Sequence, residues 1–272
     1  MEHFKKYFPS QPEIQKNTMT YQEIKPAGTW YSNEIALYYQ FKTQKDGNSV
    51  LSLIPDGCFD IIFCCDSNKP NAFLWTTPMR RKTYPDFKKD CEYFGVRFYP
   101  EQTILNMDFP MNELLGRQIP LFEVMKGEKS IIDQIAESIL FPERIRFFEQ
   151  FLLKSRIDMG KDGKLLKYMI SEIYASHGLI NLSELNVKIG YSPQYIRKKF
   201  RHYIGFSQKQ FTQVVQFQNA LDMFLENSQL DVLDIIYENG YYDQAHFIKG
   251  FKKFTMVTPT QYKNYFHSEY IG

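Results

Sequence analysis

The sequence predicts an α+β multidomain chain. A β-rich sensor domain is expected over 1–111, a helical linker or dimerisation region over 112–160, and an all-α domain over 161–272. Three observations predict this. Short aromatic and β-branched runs broken by turn residues fill residues 20 to 110. After Pro110 the apolar residues recur at helical spacing instead. Near the C-terminus, two variants of one unit (a helix, a Gly-Tyr turn, a capped helix with basic residues) begin their turns at Gly190 and Gly240.

Composition sets the class. The chain has 272 residues, 43% apolar and 24% charged, an ordinary globular balance long enough for two domains. No apolar run approaches the ~18 residues of a membrane span, and Met1 to Lys6 leads to no apolar signal core. The expectation is a cytoplasmic, nucleoid-associated protein with no membrane partner. Cys58, Cys64, Cys65 and Cys91 form no C-x-x-C pair and have no neighbouring histidine, so they read as buried free thiols rather than a zinc site. His3 is the only histidine before His177, which leaves the N-terminal half without a histidine cluster. No metal and no cofactor is expected.

In the N-terminal half, strand-like runs cover 34–41, 50–54, 59–63, 72–75 and 93–98. Lys45-Asp46-Gly47-Asn48 and Pro55-Asp56-Gly57 supply turn signals. Many short strands favour a sandwich or small barrel, a shape that can hold an apolar pocket. Trp30, Tyr31, Tyr38, Tyr39, Phe41, Phe73 and Trp75 read as core. Residues 112–157 are mostly helical in pattern, interrupted at Gly116, Pro120, Gly127 and Pro142, and Ile145, Phe148, Phe151 and Leu152 share one face. The polar, glycine-rich stretch Met159-Gly160-Lys161-Asp162-Gly163-Lys164 marks a domain boundary.

In the first repeated unit, Asn181 or Ser183 caps a helix that ends at Gly190, whose missing Cβ suits a left-handed turn. Ser192 caps the next helix and Pro193 opens it. Ile196, Phe200 and Tyr203 form its core stripe, leaving Gln194, Arg197, Lys198 and Arg201 outside. In the second unit Asp243 is the cap, Phe247, Phe251 and Phe254 the stripe, and Gln244, Ala245 and Lys249 face outward with His246 beside them. Gln and Arg pair bidentately with adenine and guanine edges, and Lys and Arg neutralise phosphates. Between the units, 211–227 is helical, with Val214, Val215, Ala220, Leu221 and Phe224 on its apolar side. Net charge is only +2, but 161–272 carries +3 against −1 for the rest, and 185–221 has no acidic residue among six basic ones. A repeated helix-turn-helix with a positive face points to double-stranded DNA.

Residues 165 to 265 resemble the C-terminal domain of AraC/XylS-type transcription regulators. The resemblance rests on Gly190-Tyr191-Ser192 with Ile196 and Phe200, on Gly240 to Phe247, and on Phe251-Lys252-Lys253-Phe254 with Val257-Thr258-Pro259 and Tyr262. It implies two helix-turn-helix units on a linker helix, with base-reading positions at Gln194, Arg197 and Lys198 and at Gln244, Ala245 and Lys249. The chain departs from that pattern at five places. Asn186 and Ile236 stand where alanine is usual, Gln216 where arginine is, Gln208 where proline is and Met256 where glycine is. Ile54 to Phe63 and Phe94 to Pro100 resemble motifs in the N-terminal domain of a subset of these regulators, which implies a cupin-like domain with a sensing role.

Asp56, Cys58, Asp60 and Arg97 are the site candidates there; a hairpin turn, a buried thiol and a surface ion pair are the favoured reading of them. The expected function is a sequence-specific transcription regulator, not an enzyme, whose first unit supplies most of the base-specific affinity. A small-molecule effector, RNA polymerase and a second copy of the chain are the further partner classes. Two other readings stand beside it: a DNA-tethered enzyme using Cys58 or Cys91 as nucleophile, and a ligand-free DNA-binding or interaction protein.

Overall fold

The computed structural model describes residues 7, 9–45, 50–85, 87–105, 107–155, 160–226 and 232–267. Residues 1–6, Asp46 to Asn48 of the expected turn, Met159, Asn227 and Asp231 lie outside the described residues. The chain opens with helix α1 (Pro12–Lys16), followed by β1 (Met19–Ile24), β2 (Ile35–Lys42), β3 (Leu51–Leu53), β4 (Phe59–Cys64), β5 (Asn71–Thr76), β6 (Lys82–Tyr84) and β7 (Glu92–Phe98). Then come α2 (Met111–Leu114), β8 (Gln118–Pro120), α3 (Leu121–Val124), α4 (Ile131–Glu137) and α5 (Phe141–Ser155). All five expected strands are present. The strands missed are β1, β6 and β8, which are short or mostly exposed and carry little apolar alternation.

Six strands form one antiparallel sheet in the order β1-β2-β7-β4-β5-β8, and β3 pairs with β6 in a separate ribbon. The central strands β2, β7, β4 and β5 are buried on both faces, which is why they read as continuous apolar runs. Alternate residues sort to opposite faces. Phe59, Ile61, Phe63, Phe94, Val96 and Phe98 meet α4 and α5 through Ile131, Ile135, Phe148 and Leu152. Leu37, Tyr39, Phe41, Ile62 and Trp75 meet Leu51, Leu53 and Tyr84 of the ribbon, with Ile14 of α1. The result is a lopsided sandwich with open ends at β1 and β8, not a closed barrel.

Residues 112–155, expected as part of a helical linker or dimerisation region, share the core of the sheet. Leu114, Leu121, Val124, Ile135, Phe148 and Leu152 belong to the same core as the sheet, and β8 pairs with β5. Arg144 of α5, buried, donates to Gln40 Oε1 at 3.0 Å, Glu92 Oε2 at 2.6 Å and Ser138 O at 2.8 Å, tying the helix to β2 and β7. The sequence showed that this region has an apolar helical face; what that face packs on was decided by the sheet.

The two motif stretches of the N-terminal half meet at one buried charge cluster. Asp60 and Arg97 are register partners on β4 and β7. Arg97, 3% exposed, donates from Nε to Asp60 Oδ1 at 2.8 Å and from Nη2 to Oδ2 at 3.2 Å, and its Nη1 lies 3.8 Å from Asp56 Oδ2. The Tyr39 ring covers the guanidinium at 5.6 Å. A Cβ on Gly95, opposite Tyr39, would stand 2.4 Å from that ring, so glycine makes the room. The expected surface ion pair is therefore an interior one.

Nor is Pro55-Asp56-Gly57 a hairpin turn, because β3 and β4 lie in different sheets. It is a connection onto which the C-terminal domain docks. There α6 (Gly160–Ala175), α7 (Leu182–Ile189), α8 (Pro193–Ile204), α9 (Gln208–Glu226), α10 (Val232–Glu238), α11 (Gln244–Thr255) and α12 (Pro259–His267) enclose one core. Phe211 of α9 lies where a Cβ on Gly57 would come within 2.5 Å of its ring. Gln218 of α9 donates to Pro55 O at 2.8 Å and accepts from Ser10 N at 2.9 Å. Tyr7 donates to Asp56 O at 2.7 Å and stacks on Tyr174 of α6 with centroids 4.4 Å apart.

Removing one member of a buried pair leaves the other charge unpaired in a low-dielectric interior, at a cost of ~3–5 kcal/mol. Asp60→Ala is expected to lose stability of that order in urea unfolding. A loss under ~1 kcal/mol, as for an exposed pair, would contradict the buried arrangement.

Candidate nucleic-acid interface

Each recognition unit is built by local chemistry. Asn181 Oδ1 accepts from Ser183 N at 3.0 Å and caps α7, so Asn181 rather than Ser183 is the cap. The helix ends at Gly190 with φ 73°, Ser192 Oγ accepts from Tyr195 N at 3.3 Å, and Pro193 is the first residue of α8. In the second unit Gly240 has φ 64°, and Asp243 Oδ1 accepts from His246 N at 2.7 Å to cap α11. Each such cap contributes about 1 kcal/mol.

The core stripes fall where expected. Ile196 and Phe200 of α8 and Phe247, Phe251 and Phe254 of α11 are buried against Val214, Val215, Phe217 and Leu221 of α9. The opposite face of α8 presents Gln194, Arg197, Lys198 and Arg201, all exposed at spacings of three and four residues. Together they line one open depression of about 430 Å³. On α11, Gln244, Ala245, His246 and Lys249 are likewise exposed. His246 is also part of the turn, because its Nδ1 accepts from Tyr242 N at 3.2 Å.

The units differ in ways the repeated Gly-Tyr wording hides. Tyr191 is exposed and stacked on Tyr195 with centroids 5.1 Å apart. Tyr241 is buried against Phe247, and the following Tyr242 is 90% exposed. The acid-free stretch is not acid-free in space. Asp162 of α6 accepts from Lys199 Nζ at 2.5 Å, Tyr195 Oη at 3.0 Å and Tyr203 Oη at 3.1 Å, fastening the inner side of α8. Lys199 is thereby turned from the outer face. The stretch read as a domain boundary is thus, from Gly160 on, the first turn of α6 and an anchor for the recognition helix.

Lys253, whose Nζ donates to Gln213 Oε1 at 2.8 Å, has its pKa lowered by burial and by the charge of Lys209. The Lys253–Gln213 hydrogen bond joins α11 to α9, a contact the sequence reading missed because forty residues separate the two.

Four of the five departures from the family pattern find partners or room. Gln208 Nε2 donates to Asn186 Oδ1 at 3.0 Å, so the two departures of the first unit join α7 to α9. Gln216 Nε2 donates to Asn239 O at 2.7 Å, holding the end of α10, and Ile236 is buried in the core. Met256 is different. It caps α11 at φ 69°, a left-handed conformation that glycine adopts without a Cβ clash.

The cysteines weighed as nucleophiles, Cys58 and Cys91, are both buried. Burial pushes the Cys58 thiol well up, and a hydrogen bond to Cys64, together with burial, raises Cys91. Activated nucleophiles show the opposite shift. Among the described residues no three His, Cys, Asp or Glu side chains stand together to hold a metal, and no described helix is long and apolar enough to cross a membrane.

Two outcomes test this anchoring. Met256→Gly is expected to stabilise the protein by roughly 0.5–1 kcal/mol in urea unfolding, strain relief outweighing the added chain entropy; destabilisation would mean the Met256 side chain holds more than the strain costs. For Asp162, burial raises the carboxyl, but the hydrogen bonds from Lys199, Tyr195 and Tyr203 more than reverse this and hold it below its usual value. A depressed folded pKa stabilises fully above the unfolded value near ~3.9 and is lost as pH falls through the lower folded value. Asp162→Asn should therefore lower the melting temperature at pH 7, with the gap from the wild type shrinking in melts below about pH 4. A gap independent of pH would refute the charged anchor.

Comparison with known proteins agrees with this geometry. Residues 185–265 match the family model of a helix-turn-helix domain, and residues 22–120 that of a domain of unknown function (DUF6597). An uncharacterised HTH-type transcriptional regulator of Haemophilus influenzae is 28% identical over 191 residues, which is 66% of this chain and 63% of that protein. Another, from Staphylococcus aureus, is 32% identical over 87 residues, 32% of this chain and 12% of its own length. The chain thus covers less than two thirds of the curated relatives it matches. Among solved structures, ToxT from Vibrio cholerae covers 89% of this chain and 97% of its own, with a TM-score of 0.46 and 11% identity. The C-terminal part of the chain, with its two capped turn units, is a helix-turn-helix domain of the AraC type.

Proposed function

We propose that the protein is a sequence-specific DNA-binding transcription regulator whose recognition helices α8 and α11 read successive major grooves. The observation that carries this reading is the outer face of α8. Gln194, Arg197, Lys198 and Arg201 are exposed together on a helix whose other side is buried and fastened by Asp162. A rigid helix presenting a Gln and an Arg at its N-terminal end suits base-edge readout, and the remaining cations suit phosphates. In the same reading Gln244 and Lys249 serve α11, His246 and Ala245 shape the contact, and the α8 unit carries most of the base-specific affinity. The relatives are named HTH-type transcriptional regulators, which supports the reading.

The N-terminal body, ending near residue 155, is the control element of this proposal. It grips both recognition helices at their C-terminal ends: Leu115 packs where α8 ends at Gly205, and Arg81 N donates to Phe254 O of α11 at 2.7 Å. A small-molecule effector or a second copy of the chain would act by biasing that grip, and RNA polymerase is the partner through which a bound regulator would act.

The test begins with footprinting of the full chain on fragmented genomic DNA at stated salt to find an operator. On that operator Arg197→Ala is expected to cost ~1–3 kcal/mol and relax specificity at one base pair, with a smaller loss for Lys249→Ala. Lys198→Ala is expected to lower the salt slope by roughly one phosphate contact. Operator affinity unchanged by all three would overturn the assignment, and a larger loss from α11 than from α8 would reverse the ranking.

A further inference from the structure

The N-terminal sheet holds a chemical feature that DNA reading does not use. Cys64 ends β4 and Cys91 immediately precedes β7. The register pairs Cys64 with Tyr93, so Cys91 is its diagonal neighbour across the ladder. The two sulfurs lie 3.4 Å apart and both thiols are free. A covalent bond of ~2.05 Å needs the sulfurs to close by only about 1.4 Å, within the reach of side-chain rotation.

The backbone holds both cysteines in place. Cys91 N donates to Thr43 Oγ1 at 3.0 Å, Thr43 N donates to Cys91 O at 3.0 Å, and Cys65 N donates to Glu92 O at 2.9 Å. The approach of the sulfurs is therefore set by the sheet and its neighbours.

The pair is chemically unequal. Both cysteines are buried, but Cys64 lines an open hollow of about 400 Å³ with Asp66, Lys69, Lys88 and Tyr93, and Cys91 is not among the residues that line it. The Tyr93 hydroxyl accepts from Lys88 N at 2.7 Å, which leaves its own hydrogen for Cys64. Hydrogen bonding from the Cys91 thiol, aided by Tyr93 and opposed by burial, lowers Cys64 to about 6. Cys65, though adjacent in sequence, is pushed up to about 12, chiefly by burial, and directs its sulfur toward Phe63 O. The hydrogen bond between the two sulfurs favours loss of one proton from the pair, and thiolates are the oxidisable form.

We propose that Cys64 and Cys91 are a peroxide-oxidisable pair that closes to an intramolecular disulfide, with Cys64 the attacking sulfur and Cys91 the resolving one. The Cys64 thiolate attacks one oxygen of hydrogen peroxide and the O–O bond breaks. Sulfur is oxidised to the sulfenic acid, and the departing hydroxide takes up the proton that Cys64 released, giving water. Cys91 sulfur then attacks the sulfenic sulfur; the S–S bond forms, the S–O bond breaks, and the hydroxyl leaves with the Cys91 proton as a second water. The two thiols lose two electrons and two protons, and one peroxide becomes two waters. The bridge closes the loop that contains β5 and β6, which restrains the unfolded chain and raises the stability of the oxidised protein.

The experiment treats the folded full chain with hydrogen peroxide and maps it by non-reducing digestion and mass spectrometry. The expected product is a Cys64–Cys91 peptide lighter by two hydrogens, reversed by dithiothreitol, in a protein with a raised melting temperature. In Cys91→Ser the sulfenic acid should persist at Cys64 and be trapped by dimedone, whereas Cys64→Ser should leave Cys91 as a thiol. Recovery of both cysteines as free thiols at a peroxide dose that oxidises free glutathione would overturn the proposal. So would a bridge to Cys58 or Cys65, or one between chains. The wild-type map decides this even where a serine variant does not fold.

Discussion

The burial of Arg97 is the constraint on which the rest of the molecule depends. A guanidinium that is 3% exposed is tolerable only with charge and hydrogen bonds supplied around it, and Asp60 and Asp56 supply them from β4 and from the connection before it. Because Asp60 faces Arg97 across the ladder, the pair sets the register of β4 against β7. Because Asp56 lies on the connection that receives Phe211, Gln218 and Tyr7, the same cluster shapes the surface on which the C-terminal domain sits. Cys58, midway between the two carboxylates in sequence, donates its backbone N–H to Asp56 and keeps its thiol buried. Of the four site candidates, Asp56, Asp60 and Arg97 form one buried charge cluster beneath a domain joint, with the Cys58 thiol buried beside it.

The joint also links the N-terminal body to helices α8 and α11. Glu13 of α1 holds Arg81 in a two-pronged ion pair, and the backbone of Arg81 meets the end of α11. Glu34, just before β2, receives Lys167 of α6, and Asp162 in the first turn of α6 fastens α8. Contacts with each recognition helix therefore run through short chains of charged or hydrogen-bonded groups anchored on the N-terminal body.

Much of the C-terminal domain was legible because its determinants are local. Caps at Asn181, Ser192 and Asp243, glycine turns at 190 and 240 and helical apolar stripes each act within one or two turns of chain, and each is found in place. The exposed set Gln194, Arg197, Lys198 and Arg201 followed from the stripe of Ile196 and Phe200 alone. What local pattern misjudged was anything decided by distant partners. Lys199 looked like its neighbours until Asp162 claimed it, and Tyr191 and Tyr241 share a motif but only one is buried. Asn186 and Gln208 read as separate losses although they form one hydrogen bond. The Cys64–Cys91 pair gave no spacing signal at all, because sheet register brought it together.

By itself, then, the sequence determined the fold class, the two helix-turn-helix units and the residues that face away from their cores. Those outcomes depend on hydrophobic periodicity and on backbone groups capped within a few residues, and both are written in neighbouring letters. Tertiary structure alone decided that residues 112–155 pack on the sheet, that Arg97 is buried, and that Pro55-Asp56-Gly57 is a joint rather than a hairpin. Those depend on which apolar faces cover one another and on charges brought together from opposite ends of the chain, and no local pattern encodes the choice of partner.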